Sequence, residues 1–285
     1  MIKLISPNFS DIFPSNIEIG KFPDGDSHVV IPQLAEVAGQ DVLLFHRLYP
    51  KQNTNLVVFL FIIESLRSAG AKSINAVVPY LPYARQDKSK LAGELPLAYS
   101  LCRTLASTGL TKLITFDCHF LNKLGLQEFA GLKIENLSMG TELVAKAREY
   151  FKGEYFEIIG PDDGANYLVS VHGGQSLKKV RKEYEHGKVG YRDIHEISGQ
   201  LNVEGKNVLI LDDIISSGST MLKALEKVLA GKAKAVACTT THGLFLFDCI
   251  NKMEQFTSVI FSSNTIEHKH AEVSISSQLT TIYGK

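Results

Sequence analysis

Apolar runs of strand length alternate with helix-length stretches along almost the whole chain, and no other feature constrains the fold as strongly. Strand candidates are Ile74 to Val78, Leu113 to Phe116, Phe156 to Ile159, Val208 to Leu211 and Ala235 to Ala237. Helix candidates between them are Asn55 to Ala69, Leu95 to Ser107, Thr141 to Phe151 and Met221 to Leu229. The strand runs are apolar on both faces, as strands covered by helices on two sides are. A helix between two strands returns the chain to the same end of the sheet, so the strands pair in parallel. The expectation is an α/β fold with mainly parallel central sheets. The run Leu56 to Ile63 has a strand's composition, but Asn53 and Thr54 as caps and Gly70 as a stop read as a helix. That helix is apolar nearly all round, which predicts burial on more than one side, in part by another subunit.

At 285 residues the chain has room for two domains, each with a core of its own. A duplication would account for the pattern. In the first half one strand ends at V-V-P-Y (77–80) and a later one at I-T-F-D (114–117); in the second half the ends are I-I-G-P-D-D (158–163) and L-I-L-D-D (209–213). The second interval is longer, and the polar stretch His172 to Gln200 has the composition of a mobile loop that would hold the difference. The boundary is placed near residue 145, giving domains 1–145 and 146–285.

Thirty basic and thirty acidic residues cancel, so no overall field favours nucleic acid or an anionic membrane. Any phosphate chemistry must rest on local loops. The four cysteines (Cys102, Cys118, Cys238, Cys249) form no C-x-x-C pair and sit in apolar surroundings, the pattern of buried thiols in a reducing compartment. The opening M-I-K-L-I-S-P-N-F is too poor in apolar residues for a signal peptide, and the longest apolar run falls far below the ~20 residues of a membrane span. The expectation is a cytoplasmic protein.

In open α/β sheets ligands sit at the carboxyl ends of strands, and four polar clusters fall there. The most informative is V-L-I-L-D-D-I-I-S-S-G-S-T (208–220), an apolar strand, two carboxylates, a small polar turn and a helical pattern. Backbone N–H groups at such a turn and helix start point at an anion. Asp212 and Asp213 repel a phosphate and must serve a sugar hydroxyl or a metal ion. G-P-D-D-G-A-N (160–166) offers a second turn, where Asp162 and Gly164 suit exposed N–H groups facing a diphosphate; Asx-turn chemistry explains it almost as well. In F-D-C-H (116–119), Asp117 and His119 are expected on one side of a strand end, with His119 able to ligate a metal or simply hydrogen-bonded. P-Y-L-P-Y-A-R-Q-D-K (79–88) carries Arg85 and Gln86 and reads as a polyphosphate and base contact or as a solvated turn. K-K-V-R-K (178–182) and K-F-P-D-G-D (21–26) read, in isolation, as a solvated charge run and an ordinary turn.

Together these segments resemble the ribose-phosphate pyrophosphokinase family, in family order from K-F-P-D-G-D to S-N-T-I (263–266). V-V-P-Y-L-P-Y-A-R-Q-D-K is the most specific component. L-D-D-I-I-S-S-G-S-T-M is the phosphoribosyl-binding signature, shared with the type I phosphoribosyltransferases. Ser216, the single residue between Lys179 and Arg181, and T-H-G-L-F (241–245) look most like the short archaeal-type members. The resemblance implies two similar type I phosphoribosyltransferase-like domains. It implies ribose hydroxyls held by Asp212 and Asp213, and the 5-phosphate by Ser216, Ser217, Gly218, Ser219 and Thr220. The diphosphate loop is placed at Asp162 and Gly164. ATP is placed at Arg85 and Gln86, with Phe22, Asp24 and Asp26 reaching the adenine and its ribose from a neighbouring subunit. Mg2+ is placed at His119 and Asp162, and Lys179 and Arg181 match the basic pair of the mobile catalytic loop.

The implied reaction moves the diphosphoryl group of ATP to the 1-hydroxyl of ribose 5-phosphate in a homodimer or higher homo-oligomer with shared ATP sites. Three departures touch the nucleotide and diphosphate side. Asp26 stands where glutamate is frequent, Ser89 to Pro96 lacks arginines and has Leu95 for a common proline, and Asn166 and Tyr167 follow the P-D-D-G turn where basic residues are frequent. Rival readings are a phosphoribosyltransferase consuming the same diphosphate and a catalytically silent regulatory homologue.

Overall fold

The computed structural model describes the backbone of residues 1–181, 194–198 and 201–284, and the side chains of residues 1–178 and 201–284. The chain forms two compact units, Met1–Leu137 and Ser138–Lys285. The expected boundary at residue 145 falls inside the helix Gly140–Tyr150, which belongs wholly to the second unit.

The first unit runs β1 (Ile2–Ile5), β2 (Glu18–Lys21), β3 (Ser27–Val30), β4 (Asp41–Phe45), α1 (Gln52–Ser68), β5 (Ser73–Val77), α2 (Leu97–Ser107), β6 (Lys112–Phe116), β7 (Gly125–Phe129) and β8 (Leu132–Leu137). Its sheet has the order β1-β4-β5-β6-β8-β7, parallel except for the edge strand β7. The hairpin β2–β3 stands apart from it. The core joins Val42 and Leu44 of β4 to Phe59, Ile62, Ile63 and Leu66 of α1.

Helix α1 starts at Gln52, after Lys51 in the left-handed region, so Asn53 and Thr54 lie inside the first turn and the expected caps are not used. Gly70 does stop it: its φ of +86° lets the chain turn while Ala71 N–H bonds the Leu66 carbonyl at 3.1 Å. Val57 and Phe61 of this helix are 46% and 61% exposed, so the chain by itself does not bury α1 on several sides.

Beyond β4 the chain is tightly held. Arg47, 4% exposed, is ion-paired with Asp11 and stands 4.7 Å from the centroid of the Phe9 ring. The His46 ring stacks on Phe59 at 5.5 Å, with Nδ1 2.8 Å from Ser6 Oγ and Nε2 3.3 Å from the Asn55 carbonyl oxygen. Burial lowers its pKa to about 4.

The second unit runs α3 (Gly140–Tyr150), β9 (Phe156–Gly160), α4 (Asn166–Ser170), β10 (Gln175–Ser176), β11 (Lys178–Arg181), β12 (Ile194–Ser198), β13 (Asn207–Ile215), α5 (Ser219–Ala230), β14 (Ala235–Gly243), α6 (Cys249–Glu254), β15 (Ile260–Ser263), β16 (Ala271–Val273) and α7 (Ser276–Tyr283). Its sheet is parallel throughout, in the order β10-β9-β13-β14-β15-β16. Met221, Ala224, Leu225 and Val228 of α5 and Cys249, Ile250 and Met253 of α6 pack with Ile210 and Cys238 on one face of the sheet.

The order reverses at β9, whose two neighbours both follow it in the chain: β10 on one side and β13 on the other. Such a reversal opens a crevice beyond the carboxyl ends of the strands. Strand β13 was expected to stop at Leu211; it continues to Ile215, paired with β14 to the end, while its pairing with β9 stops at Ile210. Four residues, Asp212 to Ile215, therefore run past the end of β9. All four cysteines are buried, and burial pushes the Cys102 thiol up to about 12 and Cys249 to about 11.

Candidate active site

The crevice beside β9 and β13 collects two of the polar clusters read from the sequence. At the end of β9, Asp162 caps a short 3-10 turn, accepting a hydrogen bond from the Gly164 N–H at 2.8 Å. The Asx turn is formed, with Asp163 and Gly164 exposed behind it. On the overhang of β13, Asp212 and Asp213 are only 7% and 4% exposed, and the Asp213 N–H donates to Asp212 Oδ1 at 3.0 Å. Burial first, then the Asp213 and Asp162 carboxylates, hold the Asp212 carboxyl well above the ordinary carboxylate range. A site whose carboxylates act on one another in this way favours hydroxyl donors or a cation.

The strand then turns through Ser216 and Ser217 into Gly218, which precedes α5 with a φ of +77°. Only glycine takes that conformation without strain. A second reason for glycine lies behind it: a Cβ built there would come 2.7 Å from the Cys249 sulfur. The Ser217 and Ser219 hydroxyls are 3.3 Å apart, and Ser216, Ser217, Ser219 and Thr220 are all part-exposed. Helix α5 has twelve residues, so its first turn presents N–H groups and the positive end of a full helix dipole.

The loop is held from behind by T-H-G-L-F, which sequence reasoning used only for family likeness. Leu244 and Phe245 N–H groups donate to the Ile215 carbonyl at 3.0 and 3.1 Å, and Leu246 N–H donates to the Ser216 carbonyl at 2.9 Å. Cys249, under Gly218, was likewise missed. Its only signal in the sequence was an apolar context at the start of a helix.

In the first unit the turn Phe22–Asp26 joins β2 to β3. Phe22 N–H bonds the Asp26 carbonyl at 2.8 Å and Asp24 Oδ1 accepts from the Asp26 N–H at 3.0 Å. The Phe22 ring is 51% exposed and meets His28 edge-on at 5.1 Å; Asp24 and Asp26 are exposed. Arg85 and Gln86 are exposed after β5, while Tyr80 is buried against Tyr49 and the Tyr83 hydroxyl bonds Asn53. Tyr80 of this segment thus packs in the core.

Asp117 and His119 do not share a side. Strand β6 ends at Phe116, Asp117 turns with a φ of +35° and is fully buried, and His119 is exposed. The strand alternation used to place them stops one residue too early. Lys179 and Arg181 lie on the strand β11, paired with β12; their side chains, and residues 182–193 between the strands, lie outside the described residues.

Residues 8–109 match the N-terminal domain of ribose phosphate pyrophosphokinase, and residues 141–273 match the phosphoribosyl transferase domain. The ribose-phosphate pyrophosphokinase of Pyrococcus abyssi is 31% identical over 262 residues, covering 91% of this chain and 87% of the relative. The chain belongs to the ribose-phosphate pyrophosphokinase family. The enzyme of Methanopyrus kandleri, also archaeal, is 30% identical over 91% of this chain and 87% of its own. In fold, the family member crystallised as phosphoribosylpyrophosphate synthetase from Mycobacterium smegmatis gives a TM-score of 0.78 at 20% identity, over 99% of this chain and 96% of that one. The expected architecture of two phosphoribosyltransferase-like α/β domains with mainly parallel sheets is the one observed.

A divalent cation suits the second-unit donors. They are carboxylate oxygens, hard donors for a hard ion. Among the described residues no three His, Cys, Asp or Glu side chains form a closed metal cage. Magnesium in phosphate-transfer sites needs none, being held by one or two carboxylates and the substrate's own phosphates. Among the described residues no helix is long and apolar enough to cross a membrane.

Proposed function

We propose that this chain transfers the diphosphoryl group of ATP to the 1-hydroxyl of ribose 5-phosphate, giving 5-phosphoribosyl 1-diphosphate and AMP. The observation that carries the reading is the pair of neighbouring strand ends in the second unit. One end is a tight Asx turn with Asp163 and Gly164 exposed; the other carries buried carboxylates that lead into a small polar turn and a helix start. A sugar phosphate needs that combination: donors for the phosphate and acceptors for the hydroxyls. Membership of the family supports the same activity.

In this reading Ser216 to Thr220 and the first turn of α5 bind the 5-phosphate through N–H and hydroxyl donors. Asp212 and Asp213 accept from the ribose hydroxyls and fix the ring, which aims the 1-hydroxyl. The turn at Asp162 and Gly164 receives the diphosphate. Arg85 and Gln86 take ATP, with Phe22 stacking on adenine and Asp24 and Asp26 accepting from its ribose. Transfer proceeds by in-line attack of the ribose 1-oxygen on the β-phosphorus; that O–P bond forms as the bond to the AMP oxygen breaks. The chain contributes positioning and charge neutralisation more than covalent help. Lys179 and Arg181 supply positive charge to the phosphates. Asp162 of the second unit and His119 of the first are the residues that would hold Mg2+, which would supply neutralisation of phosphate charge.

The ATP site is shared between subunits of a homo-oligomer. The Phe22–Asp26 turn projects from its hairpin with its aromatic ring and carboxylates exposed, and the Val57–Phe61 strip of α1 is apolar surface suited to a subunit contact. The test is a coupled assay of AMP formation with and without ribose 5-phosphate. Release that depends on ribose 5-phosphate is expected. Nucleotide binding without turnover would instead mark a regulatory homologue, and consumption of phosphoribosyl diphosphate with a base would mark a phosphoribosyltransferase.

A further inference from the structure

Strand β14 carries the run Thr239, Thr240, Thr241, His242, every one at most 2% exposed. Thr241 and His242 are tied into the sheet. Thr265 Oγ1 and Ser263 Oγ both donate to the Thr241 carbonyl at 2.7 Å, and His242 Nδ1 lies 2.9 Å from Thr265 Oγ1. The Thr239 and Thr240 hydroxyls differ: each is buried and makes no hydrogen bond. A buried hydroxyl left without a partner destabilises a fold, and a valine of the same shape would remove the problem.

The two threonines face opposite ways. Thr239 pairs in register with Leu211 of β13 and Phe261 of β15, both apolar. Thr240 pairs in register with Asp212, and registered residues of parallel strands put their side chains on the same face. Two residues earlier Ile210 and Cys238 share that face in the core under α5. Asp212 accepts a backbone bond from the Asp213 N–H. A carboxylate that holds a sugar hydroxyl is fixed in place by a further donor, and Thr240, with its buried and unused hydroxyl, stands one strand away on the same face.

We propose that Thr240 is a positioning residue for the sugar site, donating its hydroxyl to Asp212 when ribose 5-phosphate is bound. This rests on the reading that Asp212 holds the sugar. The free protein keeps the hydroxyl idle at some loss of stability, and the loss is recovered in the complex. Thr239 provides the control, with equal burial and the same idle hydroxyl but Leu211, not a carboxylate, as its partner in register on β13.

The test compares Thr240→Val, Thr240→Ser and Thr239→Val in the full chain, by calorimetric titration with ribose 5-phosphate, separate titration with ATP, and thermal unfolding. Thr240→Val should unfold about 2–4 °C higher without ligand yet bind ribose 5-phosphate about tenfold or more weakly, with ATP affinity unchanged. Thr240→Ser should bind within about twofold of the unaltered protein. Thr239→Val should gain the same thermal stability and keep full ribose 5-phosphate affinity. Undiminished binding by Thr240→Val, or an equal loss in Thr239→Val, overturns the proposal while leaving the proposed reaction standing. An unaltered chain that fails to bind ribose 5-phosphate overturns the reaction itself.

Discussion

Gly218 and Cys249 are packed so closely that a single added methyl group on the glycine would lie 2.7 Å from the sulfur. The contact packs the turn before α5 against the start of α6. Gly218→Ala therefore meets two obstacles, the +77° φ and the thiol. We expect a loss of roughly 1–3 kcal/mol in urea unfolding and weaker ribose 5-phosphate binding. Adding Cys249→Ala should restore part of both, because it removes the steric term and leaves the backbone term. A double variant no better than the single one would show that the sulfur does not limit the turn.

Asp212→Asn and Asp213→Asn should weaken ribose 5-phosphate more than ATP. A charged hydrogen bond to a sugar hydroxyl is worth roughly 1.5–3 kcal/mol, so a ten- to hundredfold loss per residue is expected. Calorimetric titration with each ligand checks it. The assignment fails if ATP affinity drops comparably while ribose 5-phosphate binding stays.

His46 gives the first unit a defined acid sensitivity. Its folded pKa is about 4, below the ordinary 6.5, so the unfolded chain takes up a proton that the folded chain refuses. That contribution is fully present above pH 6.5 and is lost as the pH falls from 6.5 to about 4. It amounts to roughly 3 kcal/mol across the window. The advantage in urea midpoint of the native chain over His46→Gln should shrink steadily across that range. A constant difference would show that the ring is protonated in the folded state.

Lys179 and Arg181 call for kinetics. Contacts made mainly in the transition state lower kcat and kcat/KM together when removed, with KM little changed. Each alanine variant should lose about a hundredfold or more in rate. A kcat within a few-fold of normal would leave the pair as a solvated charge run.

Shared sites can be tested by rescue. Asp24→Ala and Arg85→Ala chains, each nearly inactive, are unfolded and refolded together. Random pairing leaves some sites with both groups intact, and recovery of up to about a quarter of normal activity is expected at equal mixing. Mixed oligomers verified by mass with no recovered activity would put each site within one chain.

Helices with a clear apolar face were legible to within one to three residues: Met221 to Leu229 against Ser219–Ala230, Thr141 to Phe151 against Gly140–Tyr150. In the second sheet β9, β13 and β14 were legible in place, the last two not in extent, and β10, β15 and β16 were not read at all. Carboxylates and threonines read as loop by polarity, yet β13 runs through Asp212 and Asp213 and β14 through three threonines and a histidine. Threonine is β-branched and suits a strand interior, and the carboxylates lie on the part of β13 that runs past β9. The unit boundary was missed because Leu137 to Gly140 carries no proline or polar run. The 160–166 and 208–220 clusters were legible because turn chemistry and helix starts are local. Asp117 and His119 were misplaced because a left-handed residue ends the alternation, and nothing in F-D-C-H announces it.

The reversed strand order of the second sheet has a consequence for where new chemistry can be added. In the first unit the outer strand β1 precedes β4 in the chain, so the route from β4 through α1 to β5 is direct. In the second the outer strand β10 follows β9, and the chain must travel back past β9 to reach β13. Lys178–Arg181 and Ile194–Ser198 both lie on that return journey. The strand that carries Lys179 and Arg181 pairs there with β12 in a two-stranded sheet of its own, so the basic pair is an addition beside the parallel sheet and not a part of it. The first unit, whose edge was filled from upstream, has no such stretch at the matching point and no place to hang one.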